Sequence, residues 1–590
     1  MTRVERRQAA RKARTIKTWK KAAAGVAAVA TMLGGMGVAS TALASDRDSY
    51  QDTVGNATFE QAREQYGLTE SMKNGAILHA WMWSFKTITE HMPEIAAAGY
   101  TSVQTEPMSK IKEVAANGKK FTENWYYVYQ AGEHLHRQLR GRQRRRSEGN
   151  DRHCTQVRRA RNRRRGSQPL HLRLERHRLR LAEQRLLPLP VSNCGGNDGD
   201  QINYSSRRDV TQCHLLGLWD LNTQNQYVAD RMQDFLKTAV ADGVDGFRFD
   251  AAKHVELPTE VFDNKTSNYW NTILNNGSQF QYGEVLQGDS GLDYKAYADL
   301  FANNSSDGGG NTASNYGKSV RAAISSGNLS TKMVQNIDTG GAKEDQLVTW
   351  VESHDNYANG DKESTYLTND QIVFGWAIVG SRKAGAPLYF NRPVGSGGTN
   401  AQFAEQSQLG DAGDDMWKNK SVVAVNHFRN AMDGKSEYLQ NCGADQNNAN
   451  KSCLMIERFT KDGTANDGVV IANMGGDQSL AGMSTNLDDG VYPDEVNGGS
   501  ITVSGGKITS GTAKGNAVSA YYLKAEAKPY VSAEPSSATF SGSGVDVTLR
   551  ASKAENLKYT TSEGKSAPSR TVTSSPWAAP SPWASPYRAP

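Results

Sequence analysis

Cysteine is scarce, with five residues in a chain of 590. That excludes a small disulfide-rich scaffold, and no pair of cysteines has the spacing of a zinc site. Long apolar runs are scarce too. The one clear stretch, Ala22 to Ala39, follows a basic segment (Arg3 to Lys21) and precedes Ala42-Leu43-Ala44, an A-x-A cleavage pattern before Ser45. It is short, contains glycine and has no stop-transfer flank, so residues 1–44 read as a secretory signal rather than a membrane anchor. No later segment reads as apolar enough to span a bilayer, which argues against a membrane role. The expected location is secreted, extracellular. There Cys194 and Cys213, and Cys442 and Cys453, are near enough in sequence to pair as disulfides, which leaves Cys154 over.

Evenly spread charge is also missing. The formal net charge is +6, yet His134 to Leu187 alone carries eighteen arginines against four acids. With the basic signal segment set aside as well, the remainder would be acidic, about −16. At face value the arginine block is a disordered basic arm able to bind nucleic acid.

What is present is a set of strand ends carrying acids. Gly243-Val-Asp-Gly-Phe-Arg-Phe-Asp250 alternates apolar and polar residues and delivers Arg248 and Asp250 to its end, with Lys253 and His254 one turn later. A buried parallel strand presents a carboxylate at a barrel mouth in this way, although an Asp paired with Arg248 purely for structure fits equally well. Phe280-Gln-Tyr-Gly-Glu284 is a second apolar strand ending in a carboxylate. Leu347-Val-Thr-Trp-Val-Glu-Ser-His354-Asp355 is a third. A sugar-cleaving site that retains configuration needs a nucleophilic carboxylate and a proton-donating carboxylic acid about 5–5.5 Å apart. Three acids on three successive strand ends are expected to converge that closely.

With these residues the chain resembles the α-amylases of the retaining (β/α)8-barrel glycoside hydrolases, most closely the secreted bacterial type. The likeness runs from about Asn74 to Tyr522 with one interruption. Ala76-Ile-Leu-His-Ala-Trp81 is similar to the family's first strand, and Ala98 to Thr105 to its second. Trp125-Tyr-Tyr-Val-Tyr129-Gln130 is similar to its substrate-stacking loop, and Gly217-Leu-Trp-Asp220 to the signature of the small calcium-binding domain B. The resemblance implies Asp250 as nucleophile, Glu284 as acid/base and Asp355 as transition-state stabiliser. It implies Arg248 as the partner of Asp250, and Lys253, His254, His354, Tyr126, Tyr129 and Gln130 around the sugar. Calcium is the implied cofactor, held by Asp220 and by the carbonyls of Thr211 and His254. The implied partners are starch and α-glucan oligosaccharides, with no nucleic acid and no membrane, for a monomeric enzyme. The chain departs from the pattern at Met82, where relatives usually carry Asn, and at Glu106, where they carry Ser. Ser353 takes the place of the Asn found in chloride-activated members.

The interruption coincides with the arginine block. Read one nucleotide later, codons compatible with Ala131 to Leu139 encode PVNTSIGNF, and those of Asn162 to Leu172 encode IVDVVANHFTS, the family's third strand. We expect residues 131–190 to be frame-shifted, with Arg164, Gln168 and Pro169 standing where the family has Asp, Asn and His. The missing Asn oxygen would weaken a calcium site.

The expected architecture is a (β/α)8 TIM barrel over 45–410, with domain B within about 170–220. An all-β sandwich domain C over 420–525 and a partial β accessory module over 529–565 follow. Residues 566–590, rich in Pro, Trp, Ser and Ala, read as a disordered tail and are expected to follow a second frame slip. Helices are expected over Thr87 to Ala98, within 225–245, and over Ser421 to Met432. The function that follows is endo-acting hydrolysis of α-1,4-glucosidic bonds. The alternatives are a transglycosylase of the same family, a catalytically impaired starch-binding protein, and a basic nucleic-acid binder.

Overall fold

The computed structural model describes residues 62–108, 125–129, 194, 201–218, 220–396, 407–464 and 466–523, with short strands between 530 and 588. The signal segment, Gln130, Cys154 and the arginine block lie outside the described residues. Residues 67–525 form one compact unit.

Seven parallel strands make its central sheet: β1 (Ile77–His79), β2 (Ser102–Gln104), β3 (Gly246–Phe249), β4 (Phe280–Gly283), β5 (Gly309–Thr312), β6 (Leu347–Trp350) and β7 (Ala386–Phe390). Their order, β2-β1-β7-β6-β5-β4-β3, curls into a nearly closed barrel. Among the described residues its two edges are β2 and β3. The eighth strand expected for this barrel would fall between them in sequence, outside the described residues.

The period of two sorts the strand side chains. Ile77, Phe280, Tyr282, Val348, Trp350, Ala386 and Leu388 cluster together, while Leu78, Leu347 and Tyr389 belong to the larger core built with the helices. On β3 the two phenylalanines, Phe247 and Phe249, pack against that larger core, so Arg248 between them points to the opposite face.

Strand β5 corrects the expectation of three successive acid-bearing strands. It lies between β4 and β6 and carries none of the three acids. Its sequence, Gly-Gly-Asn-Thr, has no apolar alternation to announce it. The glycines are required: a Cβ on Gly309 would sit 1.9 Å from the Gln281 carbonyl oxygen, and one on Gly310 1.7 Å from that of Gln346.

The helices come close to expectation, at Phe85–Ala97, Gln226–Ala241 and Lys420–Ala431. Ser84 caps the first by accepting the Thr87 amide proton at 3.1 Å. Ile88 and Ile95 are buried there, but Met92, expected beside them, is 43% exposed. Lys420–Ala431, expected to open the sandwich domain, packs on the barrel as well as on the sheet that follows it, where Phe428 meets Tyr522. Its Asn426 donates to the Ala98 carbonyl at 2.8 Å, and Arg429 donates to the carbonyls of Gly75 and Gly385 at 2.9 and 2.6 Å. Those buried carbonyls need donors, and a guanidinium supplies several at once.

Beyond it, the strands Ser436–Cys442, Asn450–Phe459, Gly468–Asn473 and Ala517–Tyr522 form an antiparallel sheet. Their alternation splits them between two cores. Leu454, Ile456, Val470, Ala520 and Tyr522 join the barrel helices. Met455, Val469, Ile471 and Tyr521 face a second sheet (Gly490–Pro493, Ser500–Ser504, Lys507–Ser510) through Tyr492, Ile501, Val503 and Ile508. Disulfides join Cys194 to Cys213 and Cys442 to Cys453. In the other compact unit, Tyr530–Glu534 pairs with Asp546–Ser552. The tail expected from 566 contributes Arg570–Thr573, paired with Asn556–Tyr559, and Tyr587–Arg588. Among the described residues no helix is long and apolar enough to cross a membrane.

Candidate active site

The polar groups gather where the parallel strands end. Arg248 leaves β3 into the barrel, and Asp250 follows one residue beyond the strand. Ala251 then takes a left-handed conformation, φ 46° and ψ 35°. A residue with a Cβ costs about 1–2 kcal/mol there. The turn aims the Ala251 amide at Glu284, which accepts its proton on Oε2 at 3.0 Å. Two backbone bonds lock the segments together: Glu284 N to Phe249 O at 2.8 Å, and Ala252 N to Glu284 O at 3.0 Å.

One guanidinium serves both acids. Arg248 Nη1 lies 2.5 Å from Asp250 Oδ1, and Nη2 lies 3.1 Å from Glu284 Oε1. The two carboxyls respond differently. Burial pushes Glu284 up to about 7; Arg248 opposes this, while the charges of Asp250 and Asp355 add to it. Burial also acts on Asp250, but the charge and hydrogen bond of Arg248, helped by His354 and His254, hold it below the usual carboxylate value. Asp250 is the more open of the two, with 56% of its side chain exposed against 13% for Glu284.

Asp355 enters from beyond β6, on the short helix His354–Ala358. Ser353 and Asn356 cap that helix reciprocally. Asn356 is braced in turn by Arg321 at 3.2 Å and Glu363 at 2.8 Å. Burial raises the Asp355 carboxyl, with Arg248 and a hydrogen bond to Glu284 pulling the other way. His354 is buried, and burial and Arg248 lower it to about 4. Its ring stacks on Tyr129 at 4.9 Å and meets His79 edge-on at 5.4 Å. Burial, then His354 and Arg248, hold His79 well below its ordinary value. Both imidazoles are therefore neutral near pH 7, free to exchange hydrogen bonds with hydroxyl groups. Trp81 and Trp125 extend this aromatic wall, and Tyr126 is 41% exposed beside Trp125.

Lys253 and His254 form a neighbouring group. Lys253 pairs with Asp289 at 2.8 Å and lies 5.2 Å over the Tyr204 ring. His254 Nδ1 bonds the Val210 carbonyl at 2.8 Å. Burial lowers the pKa of His254, the Val210 contact opposing it. Asp220, a proposed calcium ligand, is pushed up to about 6 by burial, with His214 opposing and Glu256 adding. When ionised, such a half-buried carboxylate is a hard oxygen donor of the kind calcium takes. The described set, Asp220 with the Thr211 and His254 carbonyls, still falls short of the six to eight oxygens calcium takes. No group of three or more His, Cys, Asp or Glu among the described residues could hold a metal ion. These residues alone do not make a calcium site.

Sequence reasoning assigned no site role to His79, Tyr204, Tyr282 or Asp289. Alternation along Phe280–Gly283 marks the face of Tyr282 in sequence, but only the pairing of β3 with β4 sets it beside Arg248. His79 sits in the strand already quoted. Tyr204 and Asp289 carry no sequence signal, because tertiary packing alone brings them to Lys253.

No protein-family model matches the chain. Curated relatives include the α-amylase of Butyrivibrio fibrisolvens, 34% identical over 490 residues, covering 76% of this chain and 47% of that protein. The α-amylase of Clostridium acetobutylicum is 34% identical over 474 residues, covering 78% of this chain and 55% of that one. The chain thus spans about half the length of the curated relatives it matches. Among solved structures, α-amylase I of Eisenia fetida is similar at TM-score 0.49 and 16% identity, over 76% of this chain and 97% of that one. The Geobacillus thermoleovorans α-amylase complexed with acarbose is similar at TM-score 0.49 and 13% identity, over 78% of this chain and 100% of that one. Over three quarters of its length, the chain is a homologue of bacterial α-amylases.

Proposed function

We propose that the chain is a glycoside hydrolase that cleaves internal α-1,4-glucosidic bonds of starch and related glucans with retention of configuration. The observation that carries this reading is the single guanidinium between Asp250 and Glu284. Its charge holds Asp250 ionised, while burial and the neighbouring acids raise Glu284 to about 7 against that same charge. Below neutral pH one carboxyl is therefore ionised and the other protonated. Two acids with pKa values pushed apart are the requirement for such chemistry.

In the first step Asp250 attacks the anomeric carbon while the Glu284 proton passes to the departing glycosidic oxygen. A covalent glycosyl ester on Asp250 results. In the second, Glu284 takes a proton from water, whose oxygen attacks the same carbon and releases Asp250. Asp355 stabilises the oxocarbenium-like transition state, and His354, His254, Lys253, Arg248, Tyr126, Tyr129 and Gln130 surround the sugar. Secretion, a monomeric state, calcium completed by further oxygen donors, and no nucleic-acid or membrane partner belong to the same proposal.

Asp250→Asn should lower turnover of soluble starch by roughly 10⁴-fold or more while leaving oligosaccharide binding in place. Glu284→Gln should cripple starch hydrolysis yet spare substrates with good leaving groups, which need no proton. Wild-type-like activity of either variant on starch rules the assignment out. Arg164, Gln168 and Pro169, at positions where the family carries Asp, Asn and His, favour a second reading: a glucan-binding protein with impaired turnover. Maltooligosaccharide binding without hydrolysis, cured by re-encoding residues 131–190 in the shifted frame, would select it. Product analysis separates hydrolysis from transglycosylation.

A further inference from the structure

A fourth carboxyl sits at the barrel mouth with no role in the scheme above. Glu106 follows β2 and accepts the Met82 amide proton on Oε1 at 2.8 Å. Met82 is itself left-handed, at φ 66°. That conformation costs about 1–2 kcal/mol for a residue with a Cβ. Burying the Met82 side chain with Trp81, Tyr357 and Phe390 returns about 1.5–3 kcal/mol and holds the turn. The other Glu106 oxygen, Oε2, and the Tyr129 hydroxyl are both buried and neither makes a well-aligned hydrogen bond, although Tyr129 lies close enough to act on the Glu106 carboxyl. Two such atoms side by side are uncommon, because each unpaired polar atom costs free energy.

We infer that Glu106 is a positioning residue for the sugar-binding face of Tyr129: protonated, it donates from Oε2 to the tyrosine oxygen and leaves the phenolic hydrogen for the glucan. Ionised Glu106 would accept that hydrogen instead and take it from the substrate. The charged and titratable groups facing this pair are known. Arg248 and Asp250 act on both residues, Glu106 and Tyr129 act on each other, and Asp355 acts on Tyr129. His79 and His354 close the wall as neutral rings. Burial, opposed by the Met82 amide, Tyr129 and Arg248, pushes Glu106 up to about 7, so the exchange falls in the working range. Tyr129 itself is raised well above its ordinary value, chiefly by burial and then by Glu106, so its own proton stays on throughout.

This inference rests on the glucanase reading, and the test separates the two. Glu106→Gln keeps an acceptor for Met82 and offers a permanent donor to Tyr129, fixing the protonated arrangement. The ratio of its kcat/KM on maltooligosaccharides to that of the full-length wild type should grow about tenfold between pH 6 and pH 8, mostly through KM. In Tyr129→Phe, which lacks the hydroxyl, the same Gln substitution should produce no such growth. The melting temperature should report independently of turnover. A carboxyl raised in the fold stabilises fully below about pH 4.5 and loses that contribution as pH rises through about 7. Glu106→Gln should flatten that decline. A constant activity ratio from pH 6 to 8, or an unchanged melting profile, overturns the inference. A wild type without glucanase activity overturns the functional reading, and the melting profile alone then decides whether Glu106 is held protonated.

Discussion

Buried carboxylates occur at the barrel mouth and in the antiparallel domain, and the two regions treat them in opposite ways. In the antiparallel domain Glu457 accepts the Asn486 amide at 3.0 Å, the Asn486 side chain at 2.9 Å and Gln440 at 3.2 Å. Asp467 accepts from the amides of Thr460 and Asp488 at 2.8 and 3.1 Å, with Lys435 at 3.6 Å. Each acid there has its own donors. At the barrel mouth one arginine is divided between Asp250 and Glu284, while Glu106 Oε2, His79 Nε2 and the Tyr129 hydroxyl lack well-aligned partners. A complete shell fixes a fold, whereas an incomplete one keeps protons exchangeable and leaves donors for a ligand. Electrostatic strain is thus concentrated where chemistry is proposed.

The comparison can be broken most forcefully at the shared cation. Arg248→Lys replaces a rigid planar fork by a compact ammonium on a shorter reach, which does not reproduce the two-pronged contact with both acids. We expect kcat on starch to fall about 10²–10³-fold, the loss typical of a removed electrostatic partner in an active site. The acid limb of the pH profile should move upward as Asp250 loses its stabiliser. An unchanged profile would mean that the guanidinium does not set the split between the two acids.

A second test uses pH. Glu284 is raised from its ordinary 4.5 to about 7 in the folded state. Its contribution to stability is therefore complete below about pH 4.5 and disappears as pH rises through 7. By linkage this is worth about 3 kcal/mol at most. Glu284→Gln should gain stability relative to wild type as pH rises over that window, as measured by urea unfolding at several pH values. The same stability difference at pH 4 and pH 8 would show that the carboxyl is not held protonated.

The opposite outcome is expected in the antiparallel domain. Glu457→Ala takes the acceptor from the two half-buried Asn486 donors and one of the two acceptors from the buried Gln440 amide. It should destabilise the protein by about 2 kcal/mol, with kcat untouched. Loss of activity without loss of stability there would erase the distinction between the regions. The smallest effect is expected at the left-handed turn. Ala251→Gly relieves the Cβ penalty and should stabilise by about 0.5–1 kcal/mol, read as a shift in the denaturation midpoint. Because the Ala251 amide holds Glu284, the looser backbone should also lower kcat severalfold.

How legible the molecule was in its sequence depended on whether an element advertises itself locally. Strands β3, β4 and β6 carry apolar residues and end in distinctive polar ones, so their positions and their acids could be read directly. Strand β5 could not, because close backbone approach dictates Gly309 and Gly310 and removes the alternation that marks a strand. The helix Lys420–Ala431 was readable as a helix but not as part of the barrel. Its buried Asn426 and Arg429 find their partners more than three hundred residues away, at Ala98 and Gly75.

The site divides along the same line. The sequence by itself determined which residue types stand at which strand ends: Arg248 and Asp250, Glu284, His354 and Asp355. Local periodicity and strand termini are properties of neighbouring residues, and they survive in one dimension. Only the tertiary structure decided which carboxyl is protonated, since that depends on burial and on how a single guanidinium is divided among acids on different strands. It also decided that Tyr204 and Asp289 meet Lys253, and that Glu106 and Tyr129 face each other without a well-aligned hydrogen bond. Solvation and charge act through space over a few ångströms, and the chain order carries no record of those distances.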